Sequence, residues 1–130
     1  MSNAFLDTNV LIYAVSGSAE RAQRSTEILQ AGGVISVQVL NEFVTVSRRK
    51  HALNWDEVEA WLALFRSTLS VEPMTLQTQI RATALSRRHQ IDIYDATILA
   101  AAEQAGCGVL YTEDMQHGAT IAGVEIRNPY

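Results

Sequence analysis

The sequence predicts an α/β fold in three layers, with a central, mostly parallel sheet of about five short strands flanked by helices. Short apolar segments alternate with longer segments of helical periodicity, which is the order typical of this class. Hydrophobic residues make up 48% of the chain, enough for a buried core and too many for a disordered protein. The 130 residues contain no repeat, low-complexity tract or linker, so we expect one domain over residues 1–130.

The elements follow from local patterns, taken in chain order. A buried strand at about 4–7 is followed by a helix to about residue 15. Ser18 is suited to cap a second helix that ends near residue 31. Asn54 and Glu57 have the spacing of a capping box at the start of a later helix. The other predicted elements are strands near 34–36, 71–72, 109–111 and 124–126, and helices near 38–50, 75–89 and 93–105.

The positive charges are concentrated at two predicted helix ends, although the net charge of −4 argues against a nucleic-acid partner. Basic side chains at these positions can complement the negative end of a helix dipole. Alternatively, they can bind phosphate, which suits the planar fork of arginine. Both interpretations stay open at this point. The candidate phosphate-binding residues are Arg48, Arg49, Lys50, Arg87 and Arg88.

The sequence gives no sign of membrane insertion or export. It has no apolar run of 18 residues and no opening of the signal-peptide type. The single cysteine, Cys107, cannot form an internal disulfide, so a cytoplasmic protein without a membrane partner is the simplest expectation. Because no histidine lies near Cys107 in the sequence, we expect a structural thiol there and not a nucleophile.

Four acidic residues stand at unusual positions. Asp7 and Asp114 follow apolar strands, and parallel sheets bind ligands just beyond the carboxyl ends of their strands. Glu42 shares a helix face with apolar neighbours, and Asp95 lies on the inward face of an alanine-rich helix. Each has a structural explanation as well, such as helix capping by Asp7 or a capping box between Asp92 and Asp95.

A metal ion would explain the four acids together. Carboxylates crowded in one cleft raise each other's pKa, and a divalent cation removes that penalty. Oxygen ligands without Cys or His favour Mg²⁺ or Mn²⁺ over Zn²⁺. Such an ion can stabilise the attacking and leaving oxygens of a phosphoryl displacement. Without these four acids the chain has ten acidic and ten basic residues, so its net charge equals that of the predicted site.

Four segments resemble the acidic blocks of the PIN-domain ribonucleases. They are FLDTNVLIYA at residues 5–14, Asn41-Glu42-Phe43, Tyr94-Asp95-Ala96 and Tyr111-Thr112-Glu113-Asp114. The chain length and the order of the acids are similar to those of the small VapC-type toxins of bacterial toxin–antitoxin pairs. The resemblance implies a Mg²⁺- or Mn²⁺-dependent endoribonuclease that cuts RNA by metal-assisted hydrolysis. It also implies a homodimer that is silenced by a cognate antitoxin protein.

The resemblance also implies roles for individual residues. By position, the metal ligands and catalytic acids are Asp7, Glu42, Asp95 and Asp114. Glu113 directly precedes Asp114 and is the competing candidate in the last block. The small polar residues expected to support the ligands by hydrogen bonds are Thr8, Asn9 and Thr112. Thr8 and Asn9 directly follow Asp7 and are expected to fix its side chain. The basic helix ends would hold the RNA that flanks the cleaved bond.

Four other functions are alternatives to this one. A haloacid-dehalogenase-like phosphatase would use Asp7 as nucleophile, but its pattern has a second aspartate where this chain has Asn9. A receiver-like signalling module needs a pair of acids at the first strand and a late lysine, and both are missing here. A PIN-domain nuclease outside a toxin–antitoxin pair and a non-enzymatic binding module are the remaining alternatives.

Overall fold

The first strand of the sheet is short and completely buried at its centre. In this computed structural model, which describes residues 4–130, Phe5 and Leu6 have no solvent exposure. The strands are β1 (Ala4–Leu6), β2 (Val34–Ser36), β3 (Ser70–Glu72), β4 (Val109–Tyr111), β5 (Thr120–Ile121) and β6 (Val124–Arg127). The helices are α1 (Thr8–Ser16), α2 (Ala19–Ala31), α3 (Val37–Lys50), α4 (Trp55–Thr68), α5 (Leu76–His89) and α6 (Ile93–Gln104).

The strands form one six-stranded sheet in the order β3-β2-β1-β4-β6-β5. All neighbouring pairs are parallel except β5 with β6. Strand β1 lies between β2 and β4, and Leu6 is in register with Tyr111. The residues that follow these strands therefore meet at one edge of the sheet. This register brings Asp7 and Thr112 together.

Helix α6 is the most deeply buried helix of the described chain. Its residues 96–102 are all buried, and it packs against β2, β4, β6 and α5. Four of these seven residues are alanines, whose small side chains allow a helix to lie close to a sheet. Asp95 stands in the first turn of this helix. The burial of α6 thus carries the Asp95 carboxylate to the carboxyl edge of the sheet.

The predicted fold class is confirmed, and two details differ. The sheet has six strands instead of about five, because β5 forms a hairpin with β6 through Ala122 and Gly123. Both turn residues have positive φ angles, 53° and 77°. Strand β1 ends at Leu6, and Asp7 becomes the N-cap of α1. No helix within residues 4–130 is long and apolar enough to span a membrane.

Asp92 is the N-cap of helix α6, and replacing it tests the fold. Its carboxylate accepts a hydrogen bond from the Tyr94 backbone N–H at 2.7 Å. Asp92→Ala should lower the free energy of unfolding by about 1 kcal/mol in urea titrations, because it removes the cap oxygen. Asp92→Asn keeps an acceptor oxygen and should cost clearly less. An alanine variant as stable as the wild type would contradict this role.

Candidate functional site

Asp7 lies where β1 passes into α1, and both of its carboxylate oxygens are engaged. Oδ1 accepts from the Thr8 backbone N–H at 2.7 Å, and Oδ2 accepts from the Thr112 hydroxyl at 2.8 Å. Only 4% of the residue is exposed. Burial is the main reason that the pKa of Asp7 rises to about 6, and the charges of Asp114 and Glu42 add to it. The two hydrogen bonds oppose this rise.

Glu42 is joined to Asp7 through a single residue. The Thr8 hydroxyl donates to Glu42 Oε2 at 2.8 Å, while the Thr8 N–H is bound to Asp7. Gln38, one turn earlier on α3, donates to Glu42 Oε1 at 3.0 Å and also contacts the Tyr94 carbonyl at 3.4 Å. Thr8 and Gln38 therefore connect α3 to the ends of β1 and α6.

Asp114 follows β4 and is held by two neighbours. Its backbone N–H donates to the Thr112 hydroxyl oxygen at 3.0 Å, and Asn9 Nδ2 donates to its Oδ2 at 3.3 Å. The side-chain oxygen of Asn9 has no hydrogen-bond partner, the one such buried side-chain atom found within residues 4–130. Buried polar atoms normally have a partner. This Asn9 oxygen lies next to Asp114, where a cation, or a water bound to a cation, could supply the missing partner.

Asp95 is half-buried in the first turn of α6. Within the described chain its carboxylate accepts no hydrogen bond, and it forms no capping box with Asp92. Burial raises the pKa of Asp95 most, followed by the charges of Asp92, Asp114 and Glu42. The structural explanation by a capping box is thus wrong for Asp95.

The four predicted acids lie at one edge of the sheet and share one electrostatic environment. However, within residues 4–130, no three acidic, histidine or cysteine side chains are close enough to hold one metal ion. Three of the four carboxylates are turned onto hydrogen-bond donors of the protein. The oxygen donors, the raised pKa of Asp7 and the unpaired Asn9 oxygen fit Mg²⁺ or Mn²⁺ chemically. Direct ligation would require the carboxylates to rotate away from their present donors.

Two open clefts flank these acids and share Asp114. The first has a volume of about 390 Å³, and its lining includes Glu42, Lys50 and His51. The second has a volume of about 330 Å³, and its lining includes Asp95 and His89. Both clefts thus run from the acids to the C-terminal end of a helix, α3 or α5.

The basic residues predicted from the sequence are distributed unequally around these clefts. Lys50 lines the first cleft. Arg48 is turned away from it, because its guanidinium stacks 4.6 Å from the Trp55 ring centroid and donates to the Leu53 carbonyl at 3.1 Å. The other predicted cations are exposed and lie at the ends of α3 and α5. They are Arg49, Arg87 and Arg88.

The predicted supporting residues are in contact with the acids, but not all as expected. Thr8 and Thr112 hold Asp7, whereas Asn9 holds Asp114 instead of Asp7. The sequence did not single out Gln38 as a partner of Glu42. Gln38 precedes Glu42 by four residues on one helix, and this spacing could have predicted the contact between their side chains.

Glu113, the competing candidate to Asp114, faces different partners. Its carboxylate accepts from the hydroxyl of Tyr13 and pairs with Arg21 at 3.1 Å. Asp114 is the acid that contacts Asn9 and shares both clefts. The contacts therefore favour Asp114 as the member of the acidic cluster.

Comparisons with known proteins agree with this fold. Residues 4–120 match the PIN domain family. Comparison with curated protein sequences gives no match. A toxin–antitoxin complex from Klebsiella pneumoniae is similar in structure, with a TM-score of 0.73 and 27% identity over 98% of each chain. The DNA-bound VapBC complex of Salmonella typhimurium has a TM-score of 0.73 and 23% identity over the full length of both chains.

A third structure is a Mycobacterium tuberculosis VapC protein described as a toxin that cleaves the sarcin–ricin loop. It has a TM-score of 0.68 and 20% identity, covering 85% of this chain and 89% of its own. These likenesses support the fold, and the family match spans nearly all of the described chain. The chain belongs to the PIN domain family.

Proposed function

We propose that this PIN domain is the toxin of a toxin–antitoxin pair and a metal-dependent endoribonuclease that hydrolyses phosphodiester bonds in RNA. The observation that carries the proposal is the cluster of Asp7 and Asp114 after adjacent parallel strands, where burial and the charges of Asp114 and Glu42 raise the pKa values of both Asp7 and Asp95. The neighbour from Klebsiella is described as a toxin–antitoxin complex, which supports the same role. A PIN nuclease without an antitoxin is the alternative.

The four acids would together hold Mg²⁺ or Mn²⁺ at the edge of the sheet. When bound, the ion supplies positive charge that stabilises a phosphate under attack by water. Thr8 and Thr112 orient Asp7 through hydrogen bonds to its two oxygens, and Thr8 orients Glu42 as well. Asn9 orients Asp114. These donors fix the carboxylates close to one another at the edge of the sheet, and the carboxylates would turn from the donors toward the ion when it binds.

The two clefts offer a path for an RNA strand across the acids. A strand that fills both clefts would pass Asp114 at their junction. Lys50 in the first cleft would pair with a phosphate on one side of the cleaved bond, and the exposed Arg87 and Arg88 would act from the end of α5. Arg48 contributes less, because its guanidinium is already stacked on Trp55.

A phosphatase that uses Asp7 as nucleophile is a weaker alternative. Both Asp7 oxygens accept hydrogen bonds, and the residue is 4% exposed. Each oxygen keeps a second lone pair that an ion can use, but an attacking carboxylate must also be reached by a phosphate ester, which is much larger than an ion. Asp7 is better placed to be an ion ligand than to form a covalent intermediate.

The surface also offers places for two protein partners. An apolar cleft of about 310 Å³ lies between α2 and α4, lined by side chains that include Leu29, Trp61, Leu64 and Phe65. We assign it to an apolar segment of the antitoxin. On α5, Leu76 and Ile80 are one turn apart and 72% and 51% exposed. We assign this face to a second copy of the chain in a homodimer.

The acids give the first test of the activity. Asp7→Asn, Glu42→Gln and Asp95→Asn should each lower RNA cleavage in Mg²⁺ by at least about 100-fold, because each removes charge that binds the ion. Asp56→Asn, an exposed acid in the first turn of α4, is the matched control and should cleave like the wild type. If Asp95→Asn cuts RNA at the wild-type rate, the assignment of the site is wrong.

Stability without metal gives the second test. The folded pKa of Asp7, about 6, exceeds its value of 3.8 in the unfolded chain. Asp7 therefore stabilises the fold fully below about pH 4, and this contribution of about 3 kcal/mol is lost as the pH rises to 6. Asp7→Asn keeps the α1 cap and removes the charge, so at pH 7 in EDTA it should melt higher than the wild type.

Mn²⁺ supplies the complementary measurement. The ion binds the folded state, so excess Mn²⁺ should raise the melting temperature of the wild type at pH 7 in a concentration-dependent way. Asp7→Asn and Asp95→Asn should lose most of this response. A wild type that is indifferent to Mn²⁺, together with an Asp7→Asn protein that melts lower in EDTA, would contradict the metal site.

The partner surfaces can be tested with reciprocal variants. Leu64, 47% exposed, lines the α2–α4 cleft, so Leu64→Lys should abolish co-purification with a co-expressed cognate antitoxin. The same variant should leave the sedimentation coefficient unchanged. Leu76→Lys should convert a dimer to a monomer and still capture that antitoxin. If both variants bind it equally well, the cleft is not its binding site.

A further inference from the structure

Glu113 directly precedes Asp114 but is not one of the four predicted metal ligands. It lies at the centre of a polar cluster. Its Oε1 accepts from the Tyr13 hydroxyl, and its Oε2 pairs with Arg21 at 3.1 Å. Arg21 also donates to the Tyr13 oxygen. The ionic contact is only partly exposed, with 44% of the Arg21 side chain and 24% of the Glu113 side chain accessible. The cluster connects α1, α2 and the loop after β4.

Aromatic rings hold the arginine of this cluster in place. The Arg21 guanidinium lies 4.7 Å from the ring centroid of Tyr13 and 5.5 Å from that of Tyr130. The two tyrosine rings meet edge to face at 5.0 Å. The Tyr130 hydroxyl is bound to Ser25 on α2. A surface ion pair alone contributes little, but shared hydrogen bonds and cation–π contacts fix this one in a single geometry.

The loop that carries Asp114 is therefore fastened at three consecutive residues. Thr112 is bound to Asp7, Glu113 to Arg21 and Tyr13, and Asp114 to Asn9. Further along, the His117 ring accepts from the Asn128 backbone N–H at 2.9 Å. Asp114 itself is exposed and has one side-chain contact, at 3.3 Å. Its position thus depends largely on the backbone that Glu113 anchors.

We infer that Glu113 is a positioning residue, which fixes Asp114 at the acidic cluster through its contacts with Arg21 and Tyr13. The inference deepens the proposed function and rests on it for the role of Asp114 as an ion ligand. It also accounts for two adjacent acids in this loop: Glu113 is neutralised by Arg21 and fixes the loop, while Asp114 is left to bind the ion.

The test compares Glu113→Gln, Arg21→Gln and the double variant with the wild type. In metal-free protein, exchange of the Asp114 amide hydrogen should become about three- to tenfold faster in both single variants. Calorimetry with Mn²⁺ should show binding weakened by a similar factor. The Mn²⁺ concentration for half-maximal RNA cleavage should rise equally, while the rate at saturating Mn²⁺ stays near that of the wild type. The double variant should be no worse than either single variant, because both break one interaction.

Arg24→Gln is the matched control, since Arg24 is also on α2 but contacts Pro129 and Glu27 instead of Glu113. It should leave exchange and Mn²⁺ affinity unchanged. Tyr13→Phe removes only the hydroxyl and should repeat the Glu113→Gln effect in weaker form. Wild-type exchange and affinity in both Glu113→Gln and Arg21→Gln would overturn the inference. Absence of RNA cleavage by the wild type would refute the proposed function, while amide exchange would still decide whether Glu113 anchors the loop.

Discussion

The hydrogen bond from the Thr112 hydroxyl to the Asp7 carboxylate joins the ends of β4 and β1, and the acidic edge of the sheet is organised around it. Thr8 donates its backbone N–H to Asp7 and its hydroxyl to Glu42, so it joins these two carboxylates. The Thr112 hydroxyl oxygen also accepts a hydrogen bond from the Asp114 backbone N–H. Two threonines thus connect the Asp7 carboxylate to the Glu42 carboxylate and to the backbone of Asp114. Loss of the Thr112 hydroxyl would leave a buried Asp7 oxygen without its donor, which is costly, and loss of the Thr8 hydroxyl would remove a donor from the half-buried Glu42.

This network also explains how so many negative charges coexist at one edge. Burial and neighbouring carboxylates raise the pKa values of Asp7 and Asp95, so the folded chain holds charge where it is least favourable. The threonine donors offset part of that cost for Asp7, and no such donor reaches Asp95 within residues 4–130. Acidic clusters of this kind are typical of sites whose final partner is a cation.

Much of the fold could be predicted from the sequence because its signals are local. The caps at Ser18 and Asn54 mark helix starts within a few residues, and the structure confirms both. The β5–β6 hairpin was missed, since a strand of two residues carries no period and its Ala122–Gly123 turn lacks the usual Asn or Asp. The edge of the sheet that carries the acids was predictable from strand order alone.

The contacts within the site were harder to predict, because they join residues far apart in the chain. Asn9 binds Asp114, 105 residues away, although the sequence pointed to its neighbour Asp7. The Arg48 guanidinium stacks on Trp55, whereas Lys50 lines a cleft beside the acids. Basic residues that are neighbours in the sequence therefore do not all face the same surface in the fold. Periodicity assigns a residue to a face, but which side chain it meets there depends on the packing of other elements.

The burial of α6 has a consequence for the dimensions of the acidic cluster. Alanine is the smallest residue that still favours a helix, so at positions 96, 100, 101 and 102 the helix already lies near its closest approach to its neighbours. A larger residue at any of these positions would push the helix outward and take Asp95 with it. The distance across the acidic edge, and hence the radius of the ion it could accept, is therefore set by volume in the apolar core.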